Sequence, residues 1–557
     1  MGAAPARADE DPSSDEAGPS PRLTDDRRAR VVFVVALIVG LVTILWFGRH
    51  TWFKGDEWSL LADREATDLG DVFRPQNRVH WVTIPMLVYR AIYAVFGLHS
   101  YLPYQVPVVL FHLTLAVLLR RVMLRVSVDP WIATAAAGAF IFFGAGRPNL
   151  VWGFQITLVG SLMFGLVHML LATHEGPVDR RDWLGLASGA MGLLCSGLGP
   201  TMTITVGLAV LALRGWRVAA LHTVPLGVMY LIWWFGYAST AEATDFDRGG
   251  PSQWIEFAWN GLTGTFSSLG QVPGIGAVLA VLLVVGLALA WAPLRGIELR
   301  RRAAIPAAML AGALLFLLVT ALGRVSAGLG TLNLVVLGTD DGDAPRYLHV
   351  VATLVLPALA VAADAVVRRW RATLIPMIVL LLVGVPGNID ELADPQQILF
   401  QEEVHRADRR QILAAPRVAV ADDVPGSVLA HPRSVFLTIG WLRQAAAEGK
   451  LPDIEPIPAD LEAMVSAQLV LVQVMTEPTE CTEAELGPPI ELQRDESLTF
   501  VAPLDAAAAV VYVTDDGTES PPRRFIRIVG PTVVATTGPI TLRVEPNPDI
   551  ESVSVCR

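Results

Sequence analysis

Residues 52–58 read Trp52-Phe53-Lys54-Gly55-Asp56-Glu57-Trp58, two adjacent carboxylates set between tryptophans. They follow the first long apolar run, Val31 to Phe47, which Arg27, Arg28 and Arg30 precede. Arginines ahead of a first span hold that end in the cytoplasm. Asp56 and Glu57 then emerge on the outer face, within about one helical turn of the bilayer surface. Exposed carboxylates are commonplace, so the pair takes its meaning from the chain that follows.

Of 557 residues, 53% are hydrophobic and 17% charged, and the mean hydropathy is +0.49. This is the composition of a polytopic membrane protein with extramembrane parts. The net charge of −11 is unevenly spread, with arginine at the ends of apolar runs and acids in the N-terminal tail and after Asp390. That asymmetry describes membrane topology and excludes nucleic acid as a partner. Three cysteines are too few for a disulfide scaffold or a zinc cluster. No cleavable leader is read, since the polar tail runs into a full-length span. The chain also lacks a Walker-type Gly-rich loop and a His-Glu-x-x-His pair.

Residues 1–26, rich in Ala, Pro, Ser, Asp and Glu, read as a disordered cytoplasmic tail. Residues 27–387 read as the transmembrane domain, with a first outer loop over 48–100. Within that loop, Trp81 to Gly97 is apolar on one side and broken by Tyr89, Arg90 and Tyr93. Laid in the interface instead of across the bilayer, it leaves Arg120, Arg121 and Arg125 inside. The later apolar runs are Tyr101 to Leu119, Trp131 to Gly144, Gln155 to Ala172, Leu184 to Leu198, Thr201 to Leu213, Val218 to Tyr237, Ile275 to Ala292, Ala303 to Leu322, Tyr347 to Val367 and Leu374 to Val385. With Val31 to Phe47 they make about eleven spans, and every strong arginine cluster falls on one side. Trp254 to Trp259 reads as a second interfacial helix. His112, His168 and Asp364 fall inside spans and read as bundle-facing groups with local partners.

Residues 388–557 are expected outside the membrane as an α+β, β-rich domain. Helices are read over Gln396 to Ala415, Ser434 to Gly449 and Ala459 to Ala467. Strands are read at Leu469 to Val472, Ala509 to Val513, Phe525 to Val529 and Ile540 to Val544. Cys481 and Cys556 both fall in this domain, and an oxidising compartment favours a bridge between them. Cys556 ends an alternating strand, Ile550 to Val555, and the bridge would keep it from fraying. By chain entropy such a loop closure contributes about 4 kcal/mol.

Two groups of residues point to chemistry. One joins Asp56 and Glu57 to the run Arg74-Pro75-Gln76-Asn77-Arg78-Val79-His80: a carboxylate can take a proton from a hydroxyl, and cations can meet a phosphate. The other is Arg324 with Asp340-Asp341-Gly342-Asp343-Ala344-Pro345-Arg346-Tyr347, at the outer ends of two spans. There Arg324 or Arg346 could clamp a phosphate and Tyr347 shape a sugar pocket, with pairing of Arg346 to Asp343 as the structural alternative.

The order of parts is span, outer carboxylate pair, polar loop, interfacial helix ending Phe96-Gly97, then a span ending in arginines. It resembles the first module of GT-C glycosyltransferases, such as protein O-mannosyltransferases and lipid A aminoarabinose transferases. The motif likeness covers residues 52–120; over 31–390 it is one of topology. The resemblance implies a multispan enzyme that transfers a sugar from a polyprenyl-phosphate donor to an extracytoplasmic glycan or protein acceptor, with inversion. It implies Asp56 as catalytic base with Glu57 beside it, and sets His80 where some members place a Lys that meets the donor phosphate; Arg78, Arg324 and Arg346 are read from their own positions as further contacts to that phosphate. Trp58 and Tyr347 would line the substrate pocket. Several members carry a second acid after the third span, where this chain has Arg147-Pro148-Asn149. A divalent metal therefore lacks support, and no cofactor is assigned. The competing expectations are a flippase or transporter for a lipid-linked glycan, which would want ionisable groups at mid-membrane, and a catalytically inactive envelope scaffold.

Overall fold

The computed structural model describes residues 21–557 except 78, 240–249, 325–340, 394, 419–423, 432–433, 435, 454–455, 475–479, 494–495, 502–506, 514–518, 520–522, 527–531, 537–539, 548–549 and 557. Arg78, Asp340 and residues 1–20 of the expected tail thus lie outside the described residues.

A helix occupies each of the eleven apolar runs. Among the described residues, seven helices are long and apolar enough to cross a membrane, and up to eight if a bent pair counts as one crossing. The chain is a multi-pass membrane protein of α-helical type. The shorter apolar helices Pro130–Ile141 and Gly199–Arg214 pack among the long ones. In the bent pair, Pro251–Gly270 meets Ile275–Trp291 at 110°. Gln271 and Gly274 both take left-handed backbone at the break, with φ of 56° and 84°, a conformation that ends a helix. The segment Trp254 to Trp259, read as interfacial, is the first part of this pair.

Pro345–Arg369 is the central helix: from Tyr347 to Asp364 every side chain is buried. An all-round apolar helix has no solvent face and so takes the middle of a bundle. Its ionisable groups are partnered. His349 Nε2 lies 3.0 Å from His112 Nδ1, and Asp364 pairs with Arg368 and accepts the Asp129 N–H. His168 likewise meets His222, which in turn meets Asp182.

After the bundle come the helices Pro395–Ala414, Ile439–Ala447 and Ala459–Val470. Among the described residues a five-stranded and a four-stranded sheet follow, with antiparallel pairings. The strand Cys481–Glu483 pairs with the last strand, Ser552–Cys556, placing Cys481 opposite Cys556, and the two are joined by a disulfide.

This domain does not stand apart from the first loop. One hydrophobic core takes Trp52, Phe53, Trp58, Tyr89 and Tyr93 together with Leu437, Leu442, Val465, Phe500 and Val534. Trp441 packs on both Trp58 and Tyr93. Gly97, at φ 55°, lets the chain turn close against Lys450, whose carbonyl accepts the Leu98 N–H at 2.7 Å. A side chain at Gly97 would meet the Lys450 carbonyl oxygen at 2.5 Å. The interfacial helix expected before Gly97 is Thr83–Phe96, and it forms the floor of this joint core.

Candidate active site

A turn at Gly55, φ 52°, leads from Lys54 into the five-residue helix Glu57–Leu61. Asp56 stands at its N-cap, yet its side chain makes no capping bond. The carboxylate is instead directed to two amides: Gln76 Nε2 lies 3.5 Å from Oδ1 and Asn77 Nδ2 3.5 Å from Oδ2. Both contacts are long, so no strong donor is committed to holding the charge.

Those amides are held by a tight hairpin. Gln76 and His80 exchange backbone hydrogen bonds of 2.8 and 3.0 Å, with Asn77 at φ 46° between them. Asparagine tolerates that left-handed backbone better than most residues. Gln76 Oε1 accepts from Ser59 Oγ at 2.6 Å and from Arg64 Nη2 at 3.0 Å, which leaves its Nε2 facing Asp56. Arg64 is buried and also donates to the carbonyls of Arg74 and Pro75. Sequence reading quoted Gln76 and Asn77 within the run 74–80 without a role of their own and gave Arg64 none; a cation in a polar loop suggests a ligand contact, whereas this one ties down backbone. Arg74 pairs with Asp63 and Asp71 and is part of the same scaffold.

Glu57 differs from its neighbour in burial and in partners. It is fully buried, and its Oε1 accepts from Tyr89 at 2.6 Å and Tyr101 at 2.7 Å. Its Oε2 accepts the Lys54 N–H at 2.9 Å. Burial raises its pKa, and the two phenols and the Lys54 amide offset part of that rise. Glu57 is thus an anchor between the first loop, the helix Thr83–Phe96 and the start of the next span. Trp58, read from sequence as a pocket wall, is fully buried among Trp52, Phe53 and Trp441. Its ring is core, because the C-terminal domain covers the face that sequence reading left open.

Asp56 is partly exposed, and partial burial raises its pKa. Asn77, Arg346, Arg324 and Gln76 oppose that rise, so the two guanidinium groups act on this carboxylate. Both also act on His80, whose pKa is lowered to about 4 by burial first and by Arg324 and Arg346 second. His80 Nδ1 accepts the Gly197 N–H at 3.1 Å, so the neutral ring carries its proton on Nε2. A side chain at Gly197 would meet that ring at 2.8 Å. His80 is therefore a neutral N–H donor near neutral pH, not the cation that its position in the loop suggested.

Arg346 opens the central helix. Its guanidinium lies 5.1 Å from the Tyr347 ring centroid, and Nη2 donates to the Tyr347 hydroxyl at 3.3 Å. Tyr347 packs against Phe257 and Phe316. Buried Asn149 donates to the Arg346 carbonyl at 2.9 Å. The loop that lacks the second acid therefore fixes the start of the central helix. Asp56, His80, Arg324 and Arg346, widely spaced in sequence, are brought into one electrostatic neighbourhood.

In overall arrangement the chain resembles ArnT. The crystal structure of ArnT from Cupriavidus metallidurans in the apo state is 14% identical in sequence, covers 75% of this chain and 85% of its own, and has a TM-score of 0.45. The structure of ArnT from the same organism bound to undecaprenyl phosphate is 15% identical, covers 74% and 84%, and has a TM-score of 0.43. No family model matches the sequence, and no curated protein matches it.

Around Asp56 the neighbours are two amides and two guanidinium groups, a set that favours an anion over a divalent cation. Among the described residues, the ligand types grouped closely enough for a metal are His174, Asp179 and Asp182. That set lies elsewhere, and Asp182 is already bonded to His174, His222 and Arg214.

Proposed function

We propose that this chain is a membrane glycosyltransferase that moves a sugar from a polyprenyl-phosphate donor to a hydroxyl of an extracytoplasmic glycan or protein. The N-terminus lies in the cytoplasm, and the first loop and residues 388–557 lie outside. The observation that carries this reading is Asp56, a loosely held carboxylate of raised pKa, under the influence of Arg324 and Arg346.

Asp56 removes the proton of the acceptor hydroxyl as its oxygen attacks the anomeric carbon. The carbon–oxygen bond to phosphate breaks in the same displacement, which inverts the configuration. Negative charge gathers on the departing polyprenyl phosphate, and Arg324 and Arg346 stabilise it. The His80 Nε2–H adds a neutral donor, and Tyr347 sets the orientation of Arg346. Glu57 takes no proton from substrate; it fixes the backbone that presents Asp56. Two adjacent carboxylates with different surroundings can hold different roles.

The partnered states of His112, His349 and Asp364 weigh against a transport path lined with unpaired ionisable groups. The test is an assay of purified protein with a polyprenyl-phosphate sugar and an envelope glycan fraction. Release of polyprenyl phosphate together with glycan of opposite anomeric configuration supports the proposal. Intact donor moved between leaflets of a vesicle, without release, contradicts it.

A further inference from the structure

We propose that Trp233, at the outer end of the span Trp216–Trp233, is a positioning residue for the Asp56 site: it fixes the hairpin Gln76 to His80, whose amides face the carboxylate. This role rests on the reading of Asp56 as the base.

The chain enters the hairpin past Phe73 and leaves it through Trp81, and Trp233 holds both. Its Nε1 donates to the Phe73 carbonyl at 2.7 Å, across 160 residues of sequence. Its ring stacks on that of Trp81, with centroids 4.9 Å apart and planes 4° from parallel. Both tryptophans are buried, in a small cluster apart from the two larger cores. Trp81 Nε1 donates to Thr83 Oγ1 at 2.9 Å, and that hydroxyl donates to the Val72 carbonyl at 2.6 Å. The two arms are thus closed on each other, so a shift of Phe73 or Trp81 carries the hairpin with it.

The span leaves α geometry directly after Trp233. Trp234–Ala238 is a π turn, closed by the Ser239 N–H on the Trp234 carbonyl at 2.9 Å; such turns recur at functional sites. Within it Tyr237 packs on Phe73, 5.5 Å between centroids. A second element grips the far arm: Ile84 N–H donates to the Leu194 carbonyl and Gly197 N–H to His80 Nδ1, each at 3.1 Å.

The site is sensitive to this grip. The Gln76 and Asn77 amides reach Asp56 at 3.5 Å each, the outer limit of a hydrogen bond, so a small retreat of the hairpin ends both contacts. Burial raises the pKa of Asp56, against Asn77, Arg346, Arg324 and Gln76. Arg346 and Arg324 belong to other elements, and Glu57 is bonded to Tyr89 and Tyr101. Loosening the hairpin therefore removes two of the four opposing groups and raises the pKa further. His80 rides on the same hairpin, and its pKa of about 4, held down first by burial, would rise with exposure. Both changes act in one direction.

The test uses the full chain in nanodiscs, with a polyprenyl-phosphate sugar and an envelope glycan fraction. Trp233→Phe keeps a ring for the stack and removes the N–H. Turnover should fall roughly three- to tenfold, the share of one neutral hydrogen bond, with KM for the donor little changed. The acid limb of the turnover profile should move up by about half a pH unit. Hydrogen exchange at the Gln76 and His80 amides should quicken about tenfold, a readout that needs no activity. An unmoved limb overturns the proposal; with faster exchange it leaves Trp233 a support of the fold alone. Unchanged exchange overturns it as well, since the hairpin is then held without Trp233. Wild-type turnover by Asp56→Asn, run alongside, overturns the base reading and this role with it, and is told apart because it appears with Trp233 intact.

Discussion

Arg64 Nη2 donates to Gln76 Oε1 at 3.0 Å, and that bond decides which end of the Gln76 amide faces Asp56. The same guanidinium holds the carbonyls of Arg74 and Pro75. Replacing Arg64 with Met keeps the length of the side chain and orphans these buried acceptors. Each lost bond costs about 1–3 kcal/mol. The variant should melt several degrees lower and turn over more slowly, with KM for the donor little changed. Unchanged melting and turnover would remove Arg64 from the scaffold.

Glu57→Gln separates anchoring from chemistry. The amide keeps the shape, but its NH2 group cannot accept the bonds that Glu57 now accepts. Stability should fall by about 1–3 kcal/mol, read from thermal melts. Turnover of the folded protein should stay within a few fold of wild type. A loss as complete as that expected for Asp56→Asn would give Glu57 a chemical role.

Arg346→Ala should weaken use of the phosphate-linked donor. A charge-assisted hydrogen bond contributes about 1.5–3 kcal/mol, or roughly ten- to a hundredfold in kcat/KM. Arg324→Ala should act in the same direction. Wild-type kinetics in both variants would move the donor phosphate to another part of the chain.

His80 gives a pH signature. Its pKa in the folded protein, about 4, lies below its ordinary value of 6.5. The unfolded chain therefore takes up this proton first as pH falls. The stability tied to neutral His80 is fully present above about pH 6.5 and is lost progressively as pH falls toward 4. His80→Gln should lose less melting temperature than wild type between pH 7 and pH 5. Equal losses in the two proteins would contradict the neutral imidazole.

Apolar runs separated by arginines are enough to locate the helices, because bilayer thickness and charge placement act on local sequence. The strand pattern near Cys556 was also visible, and its neighbour across the sheet carries Cys481. The contrast between Asp56 and Glu57 was not visible. Glu57 owes its surroundings to Tyr89 and Tyr101, 32 and 44 residues away. Trp58 is buried by Trp441, from a domain at the far end of the chain. Adjacent residues share a sequence context but not a tertiary one, and only the joint core distinguishes an anchor from a base.

The central claim is that Asp56 is the base, and single-turnover transfer by Asp56→Asn tests it most directly. The amide keeps the side chain's size and removes its ability to take a proton, so the variant should express and melt like wild type. It should still bind polyprenyl-phosphate sugar, while transfer falls by about 10²- to 10⁴-fold. In the wild type the rate should decline as pH falls through the raised pKa of Asp56. Single-turnover transfer by Asp56→Asn at the wild-type rate would contradict the account.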